Sequence, residues 1–213
     1  PMVRSVFRNE VRAVAKLNHP GIISILDFGE VTAQAAAASQ GRMLEGAPYL
    51  VMEYAAGGAL GKRRRRWSWT ALQRLVVALL DALAHAHSHG VIHRDLKPGN
   101  VLLAGPDGEH GSIKLTDFGI AWVGAGKDLQ ALAGTVQYMA PEQHADDYAN
   151  FGPWTDLYAL GCLAWRLACG HTPFAHAGRH VARAHTFERP PRFDPRFPVP
   201  DGFEAWLATE KTA

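Results

Sequence analysis

A short loop in the middle of the sequence gathers the residue types that phosphate chemistry needs. It runs from His93 to Asn100 and carries a carboxylate at Asp95, an ammonium at Lys97 and an amide at Asn100. A carboxylate can accept a proton from a hydroxyl, an ammonium can neutralise a phosphate, and an amide oxygen can bind a hard cation such as Mg²⁺. Together these groups suit phosphoryl transfer, which depends on positioning and charge neutralisation more than on covalent catalysis.

The elements on either side of this loop must hold it in place. Val91-Ile92 before it and Val101-Leu102-Leu103 after it are short apolar runs that predict buried strands. Further upstream, Ser68 is a predicted N-cap for a helix with leucines at helical intervals, and Gly90 is its predicted end. The loop is therefore expected to be rigid.

Three motifs in order resemble those of protein kinases. The His-Arg-Asp-x-x-x-x-Asn pattern that starts at His93 resembles the catalytic loop, Asp117-Phe118-Gly119 follows it, and Ala140-Pro141-Glu142 comes later. The Lys97-Pro98 pair is similar to that of Ser/Thr kinases of the bacterial, eukaryotic-like type. The resemblance covers nearly the whole chain from Val3 onward.

The resemblance implies a catalytic role for five residues. Asp95 is the expected base or orienter of the substrate hydroxyl, Lys97 neutralises the transferring phosphate, and Thr135 closes on both in the peptide groove. Asn100 and Asp117 are the expected ligands of Mg²⁺.

The resemblance also implies an ATP site at the junction of two lobes. Met52 is expected to guard the adenine pocket, and the backbone of the hinge from Glu53 to Ala55 to bond adenine. The expected ATP contacts are Met52, Glu53, Ala55, Lys97, Asn100, Leu102 and Asp117. Ala59 stands where the family often places a polar residue for the ribose, so that contact is not expected here.

Five further residues have structural or regulatory roles by resemblance. Glu10 lies on an amphipathic helix at residues 3–17; alone it reads as a solvated acid, but it matches the glutamate of the family's mobile helix, under which Phe118 packs. Asp156, in an apolar helix, is expected to accept hydrogen bonds from the catalytic-loop backbone. Glu142 usually pairs with an arginine later than the end of this chain.

The activation segment has an unusual composition. Arg94 usually pairs with a phosphate on this segment, yet residues 119–134 contain no Ser, Thr or Tyr. Asp128 could serve Arg94 as a weak substitute, or it could simply be solvated. Ile120 after Asp-Phe-Gly favours threonine as the acceptor.

The expected fold class is α+β, a two-lobed kinase-like fold. Residues 1–54 would form a partial small lobe with one helix and two strands, and residues 55–213 a mostly helical large lobe that is incomplete at its end. A partial small lobe should leave Val11, Ile23 and Leu50 less covered than in a whole kinase.

No glycine-rich phosphate loop precedes the first helix, and no strand lysine is present to pair with Glu10. We therefore expect a piece truncated at both ends and nearly inactive by itself.

Composition adds few constraints. The 213 residues are 47% hydrophobic and 20% charged, with a formal net charge of +2, which gives no electrostatic reason for a nucleic-acid partner. No apolar run reaches the ~18 residues of a membrane span. Cys162 and Cys169 are expected to be reduced core residues of a cytoplasmic protein.

Two other clusters have competing interpretations. Lys62-Arg63-Arg64-Arg65-Arg66 is either a solvated helix face or a docking surface for an acidic partner or substrate. The alternating histidines His85, His87 and His89, with His93, invite a metal site, but alternate helix positions point to different faces and cannot converge.

Two functions follow. The first is a serine/threonine protein kinase that uses ATP and Mg²⁺ to phosphorylate protein substrates in signalling. The alternative is a non-catalytic, kinase-like remnant that acts as a protein-interaction module. Such remnants usually lose Asp95, Asn100 or Asp117, and this chain retains all three.

Overall fold

The computed structural model describes residues 10–62, 67–105, 112–118 and 135–209. Arg63 to Arg66, together with Ile120, Asp128 and the rest of residues 119–134, lie outside the described residues. In the described part no helix is long and apolar enough to cross a bilayer. In chain order the helices and strands are α1 (residues 10–14), β1 (Ile25–Glu30), α2 (Ala33–Ala38), β2 (Pro48–Met52), β3 (Gly58–Ala59), α3 (Trp69–Ser88), β4 (Val101–Leu103), β5 (Ile113–Leu115), α4 (Pro141–His144), α5 (Pro153–Cys169), α6 (Val181–Phe187) and α7 (Phe203–Thr209).

Two small antiparallel sheets frame the hinge. β1 pairs with β2, and β4 lies between β3 and β5. The chain from Gly21 to Ile23 joins the two halves, because the Ile23 amide donates to the Leu115 carbonyl at 2.8 Å and the Leu115 amide donates to the Gly21 carbonyl at 2.8 Å. Strand β5 therefore positions both the segment before β1 and the Asp117 that follows it.

Helices α3 and α5 contact each other and form the centre of the large apolar core. The Ser68 side chain caps α3 by accepting from the Ala71 amide, as the sequence predicts, and Gly90 follows the helix with a φ of 71°. Helix α5 ends at Gly170, whose φ of 84° suits glycine. Both helices present buried side chains to the catalytic loop between β4 and the end of α3.

The prediction of a strand at Val91-Ile92 is wrong. The Val91 amide donates to the Ala86 carbonyl at 3.0 Å, so it closes the end of α3 instead of joining a sheet. Only the run after the loop, β4, is a strand. Its neighbours β3 and β5 use both of its edges, which leaves no edge of β4 for a strand from residues 91–92.

The predicted exposure of the small lobe is also wrong in its location. Val11 is 0% exposed and Ile23 is 3% exposed, because Ile23 runs along β5 and both residues lie in the core. Leu50 is half-buried. The uncovered apolar side chains are instead on the β1–β2 sheet, where Leu26 is 66% and Val51 44% exposed.

The mixture of small antiparallel sheets and helices confirms the α+β class. The helix at residues 10–14, the strands β1 and β2, and helices α3, α5 and α7 all occur where the sequence predicts them. The division into lobes at residues 54 and 55 stays a prediction.

Candidate active site

The centre of the site is the Asp95 carboxylate. It is 6% exposed, and the Lys97 ammonium donates to both of its oxygens at 3.0 and 2.7 Å. Lys97 also donates to the Thr135 hydroxyl at 2.7 Å. One ammonium thus joins the base of the loop to the segment before α4. These three residues, distant in sequence, form a cluster of hydrogen-bonded polar groups.

Asn100 fixes the second side of Asp95. Its amide nitrogen donates to the Asp95 carbonyl at 2.8 Å and to Oδ2 of the same residue at 2.9 Å. Because the nitrogen is committed to Asp95, the amide oxygen is left for another partner. Asp117 is near, since the Thr116 amide donates to the Asn100 carbonyl at 3.0 Å, and the Asp117 side chain is exposed.

The Asn100 and Asp117 oxygens fit a Mg²⁺ ion. Mg²⁺ takes oxygen ligands, binds through one or two protein side chains, and completes its shell with water and phosphate oxygens. In keeping with this, the described residues include no group of three or more His, Cys, Asp or Glu residues that could hold a metal by themselves. The histidines of α3 therefore form no such centre there.

Asp156 holds the loop from beneath. Its carboxylate is 0% exposed and accepts from the His93 amide at 2.8 Å through Oδ2 and from the Arg94 amide at 2.8 Å through Oδ1. His87 of α3 lies 2.7 Å from Oδ2. A buried carboxylate needs such donors to compensate its lost hydration, and here they come from the catalytic loop and from α3.

The loop backbone is strained beside the base. Arg94 has a φ of 64° and Asp117 a φ of 60°, a left-handed conformation that costs energy for residues with a Cβ. The Gln143 side chain supports Arg94 by donating to its carbonyl at 2.7 Å, while Gln143 accepts from the Ala140 amide at 3.1 Å. Hydrogen bonds on both sides of Arg94 therefore hold its conformation.

The Arg94 side chain pairs with Glu10. Its guanidinium donates to Oε1 of Glu10 at 3.1 Å. Burial raises the pKa of Glu10, and the Arg94 charge and hydrogen bond oppose that rise. Among the described residues the partner of Arg94 is thus an acid on α1, whereas the expected substitute Asp128 lies outside them.

Phe118 links α1 to the loop. Its ring is 1% exposed, its centroid lies 4.5 Å from that of His93, and it belongs to the same apolar core as Val14 of α1, against which Ile25 packs. His93 is fully buried, and this burial lowers its pKa, so that the ring is neutral at physiological pH.

The sequence comparisons agree with this geometry. Residues 2–201 match the protein kinase domain family. The chain belongs to the protein kinase family. It is 40% identical, over 90% of its length and 43% of the relative, to the serine/threonine-protein kinase PknA of Mycobacterium tuberculosis.

Two further relatives carry similar names. The probable serine/threonine-protein kinase PknB of Bifidobacterium longum is 34% identical over 84% of this chain and 27% of the relative. The serine/threonine-protein kinase pkn3 of Myxococcus xanthus is 35% identical over 87% of this chain and 33% of the relative. The chain spans less than half the length of these kinases.

The hinge of this kinase chain lies beside Met52, whose sulfur accepts from the Thr116 hydroxyl at 3.6 Å. The Glu53 amide is used by the Ser24 carbonyl at 3.0 Å, and the Ala55 carbonyl by the Gly58 amide at 3.1 Å. In the backbone network of the described chain, this leaves the Glu53 carbonyl and the Ala55 amide as the groups free to meet a nucleotide base. Leu102 of β4 is half-buried and pairs with Lys114 across the sheet.

Glu142 pairs inside the kinase large lobe. Its Oε1 accepts from the Thr155 hydroxyl at 2.6 Å, and Thr155 also accepts from the Gly152 amide at 3.1 Å. The start of α5 is thereby tied to α4, which follows Thr135.

Three contacts were missed by sequence reasoning. His87 was considered only as a metal ligand, and the roles of Gln143 and Lys114 were not considered. Lys114 donates to Oε1 of Glu53 at 2.7 Å, and although burial opposes it, this bond and that from the Ser24 amide lower the pKa of Glu53. The sequence signal for His87 was its place among the buried positions of α3, on the side that faces Asp156.

Proposed function

We propose that the protein containing this chain transfers the γ-phosphate of ATP to serine and threonine hydroxyls of protein substrates, using Mg²⁺. The observation that supports this most is the cluster of Asp95, Lys97, Asn100 and Thr135, in which one carboxylate is held by two donors. A base fixed in this way needs no reorganisation when the acceptor hydroxyl arrives. The non-catalytic alternative is not favoured, because the relatives are named as serine/threonine kinases.

Each group has a defined part in the transfer. The acceptor oxygen bonds to the γ-phosphorus as the bond to the β,γ-bridging oxygen breaks, and Asp95 takes the hydroxyl proton. Lys97, which already contacts Asp95 and Thr135, neutralises charge on the transferring phosphoryl group. Bound Mg²⁺ supplies further neutralisation of the phosphate oxygens.

The metal would be held by Asn100 and Asp117. Asn100 serves both the metal and the base, since its nitrogen holds Asp95 and its oxygen remains free for a cation. ATP would lie between β4 and the hinge, with the base against Met52 and Leu102 and hydrogen bonds to the backbone of Glu53 and Ala55.

The test is phosphoryl transfer by the full-length protein. We expect γ-labelled ATP and Mg²⁺ to give phosphoserine and phosphothreonine on added proteins, and Asp117→Asn to remove the Mg²⁺-dependent transfer. Asp147→Asn is a suitable control, since Asp147 is exposed and bonds to Asn150 away from the cluster. Label on tyrosine, or ATP consumption without transfer to protein, would contradict the proposal.

Protein substrates and an acidic partner at Lys62 to Arg66 form part of the same proposal. Of this run the structure describes Lys62, which is exposed, and the preceding Gly61 amide donates to the Pro98 carbonyl at 3.0 Å. The basic run therefore starts against the catalytic loop. We place the domain in the cytoplasm, where ATP is available and where the buried thiols of Cys162 and Cys169 would stay reduced.

A further inference from the structure

An open groove of about 440 Å³ lies beside the base cluster. One wall is Lys97, which contacts Asp95 and Thr135, and the far wall is Arg166 in the last turn of α5. Between them the groove is lined by Gln137 and Tyr138. An acceptor hydroxyl that reaches Asp95 would therefore bring the neighbouring residues of its peptide into this groove.

The positive charge of this groove comes from Arg166. Lys97 is neutralised by Asp95, with which it shares two hydrogen bonds. The Arg166 side chain is exposed, and within the described chain it forms no ion pair. None of the described residues that line the groove is acidic. The groove thus offers one uncompensated guanidinium.

Two neutral side chains add to this polarity. The Gln137 amide oxygen accepts from the Thr172 hydroxyl at 3.1 Å, which leaves the amide nitrogen as a donor. Burial raises the pKa of Tyr138 to about 12, and Arg166 opposes that rise, so the guanidinium lies close to the ring hydroxyl. That hydroxyl is buried and lacks a well-aligned hydrogen bond to the described chain. Arg166 is therefore not tied to an anion by its neighbours.

The distance from the base limits where a ligand can bind. The Tyr138 amide donates to the Thr135 carbonyl at 2.9 Å, so one tight turn separates Thr135 from the ring beside Arg166. The ends of such a turn are less than about 7 Å apart. An extended peptide advances about 3.3 Å per residue. A side chain that meets Arg166 therefore belongs to a residue within about three positions of the acceptor.

We infer that Arg166 is a specificity-determining residue that binds a carboxylate side chain of the substrate, within three residues of the phosphorylated serine or threonine. A guanidinium binds a carboxylate through two parallel hydrogen bonds, and an arginine or lysine at the same substrate position is repelled. This inference rests on the proposed kinase function, since that function places the acceptor at Asp95. The carboxylate site itself consists of Arg166 and the Gln137 amide.

The test uses one set of peptides and two measurements. The peptides share a sequence, with Glu, Ala or Arg placed in turn at each of the three positions before and after the acceptor. Turnover by the full-length protein gives kcat/KM for each peptide. Fluorescence anisotropy gives the Kd of the same peptides with alanine in place of the acceptor, so binding is measured without transfer.

We expect at least one position at which Glu is preferred to Arg by about tenfold in both measurements, since exposed charge pairs and charge-assisted hydrogen bonds have modest strength. Arg166→Glu should reverse this preference, and Arg166→Lys should keep its direction. Arg74→Glu is the matched control, because Arg74 is also an exposed helical arginine, on α3, and does not line this groove. It should leave the preference unchanged. Each preference is a ratio within one enzyme, so a general loss of activity cancels.

The outcomes separate the two proposals. If transfer occurs but no position discriminates Glu from Arg, or if the preference persists in Arg166→Glu, the inference is wrong and the kinase function stands. If the acidic preference and its reversal appear in binding while transfer is absent, the carboxylate site stands and the kinase function fails. Absence of the preference from the binding data of the wild-type protein also overturns the inference.

Discussion

Replacing Asp156 by asparagine tests how the catalytic loop is held. The two oxygens of Asp156 accept from different amides, Oδ2 from His93 and Oδ1 from Arg94, at 2.8 Å each. Asparagine has a single oxygen, so its NH₂ group must face one of the two amides. One hydrogen bond is lost, one buried amide is left unpaired, and the remaining bond loses its charge.

The expected cost follows from these losses. A hydrogen bond to a charged group contributes about 1.5–3 kcal/mol, and an unpaired buried donor adds a desolvation penalty. We expect a loss of about 3–5 kcal/mol, a large part of the ~5–15 kcal/mol that stabilises a typical domain. With a urea slope of about 2–3 kcal/mol/M, the unfolding midpoint should fall by about 1–2 M.

Activity should fall as well, because Arg94 is strained and adjacent to Asp95. With one amide released, the φ of 64° at Arg94 is less well supported and the base can move. A displacement of about 1 Å can cost about a hundredfold in rate. We would measure urea unfolding and kcat of the full-length protein, with Asp81→Asn as the control, since that carboxylate is 73% exposed and contacts only His19 among the described residues. A loss below about 1 kcal/mol together with a normal kcat would refute this account of the loop.

Three further results are expected. Because the pKa of His93 is lowered in the folded state, the unfolded chain binds a proton below pH 6.5 that the native state refuses. The free energy of unfolding should therefore fall as pH decreases below that value, by at most about 1.4 kcal/mol per pH unit for this group, and a flat profile between pH 7 and 5 would contradict it. Gly57→Ala should cost about 2–4 kcal/mol in urea unfolding, since a Cβ there would lie 2.5 Å from the carbonyl oxygens of Leu103 and Gly105, whereas Gly105→Ala has open space and should be nearly neutral. Phosphatase treatment should leave the rate of the active full-length protein nearly unchanged, because residues 119–134 contain no Ser, Thr or Tyr, and a large loss traced to Thr135 would overturn this expectation.

Much of the site could be predicted because its residues are close in sequence. Asp95, Lys97 and Asn100 share one loop, so their type and spacing already define a cluster. The helices were predictable for a similar reason, since the apolar spacing of α3 and α5 is a local property and Ser68 is a local cap.

The remaining features depend on distant contacts that no local pattern encodes. His87 and Asp156 are 69 positions apart, and Arg94 and Glu10 are 84 apart. The strand predicted at Val91-Ile92 failed because two apolar residues do not reveal that the Val91 amide closes a helix. The burial of Val11 and Ile23 likewise depends on packing between elements. Arg166 appeared in the sequence as one charge in an apolar helix, and only the fold places it beside Thr135 and Tyr138.

The central claim is that Asp95 is the base that the loop positions for phosphoryl transfer. Its most direct test is Asp95→Asn in the full-length protein, with ATP binding and transfer measured on the same sample. The amide keeps the shape of the side chain but cannot accept the hydroxyl proton, so we expect kcat to fall by about a hundredfold or more while the Kd for Mg²⁺-ATP changes by less than about threefold. A near-normal kcat with unchanged ATP binding would contradict the assignment of Asp95 and, with it, the account of the site.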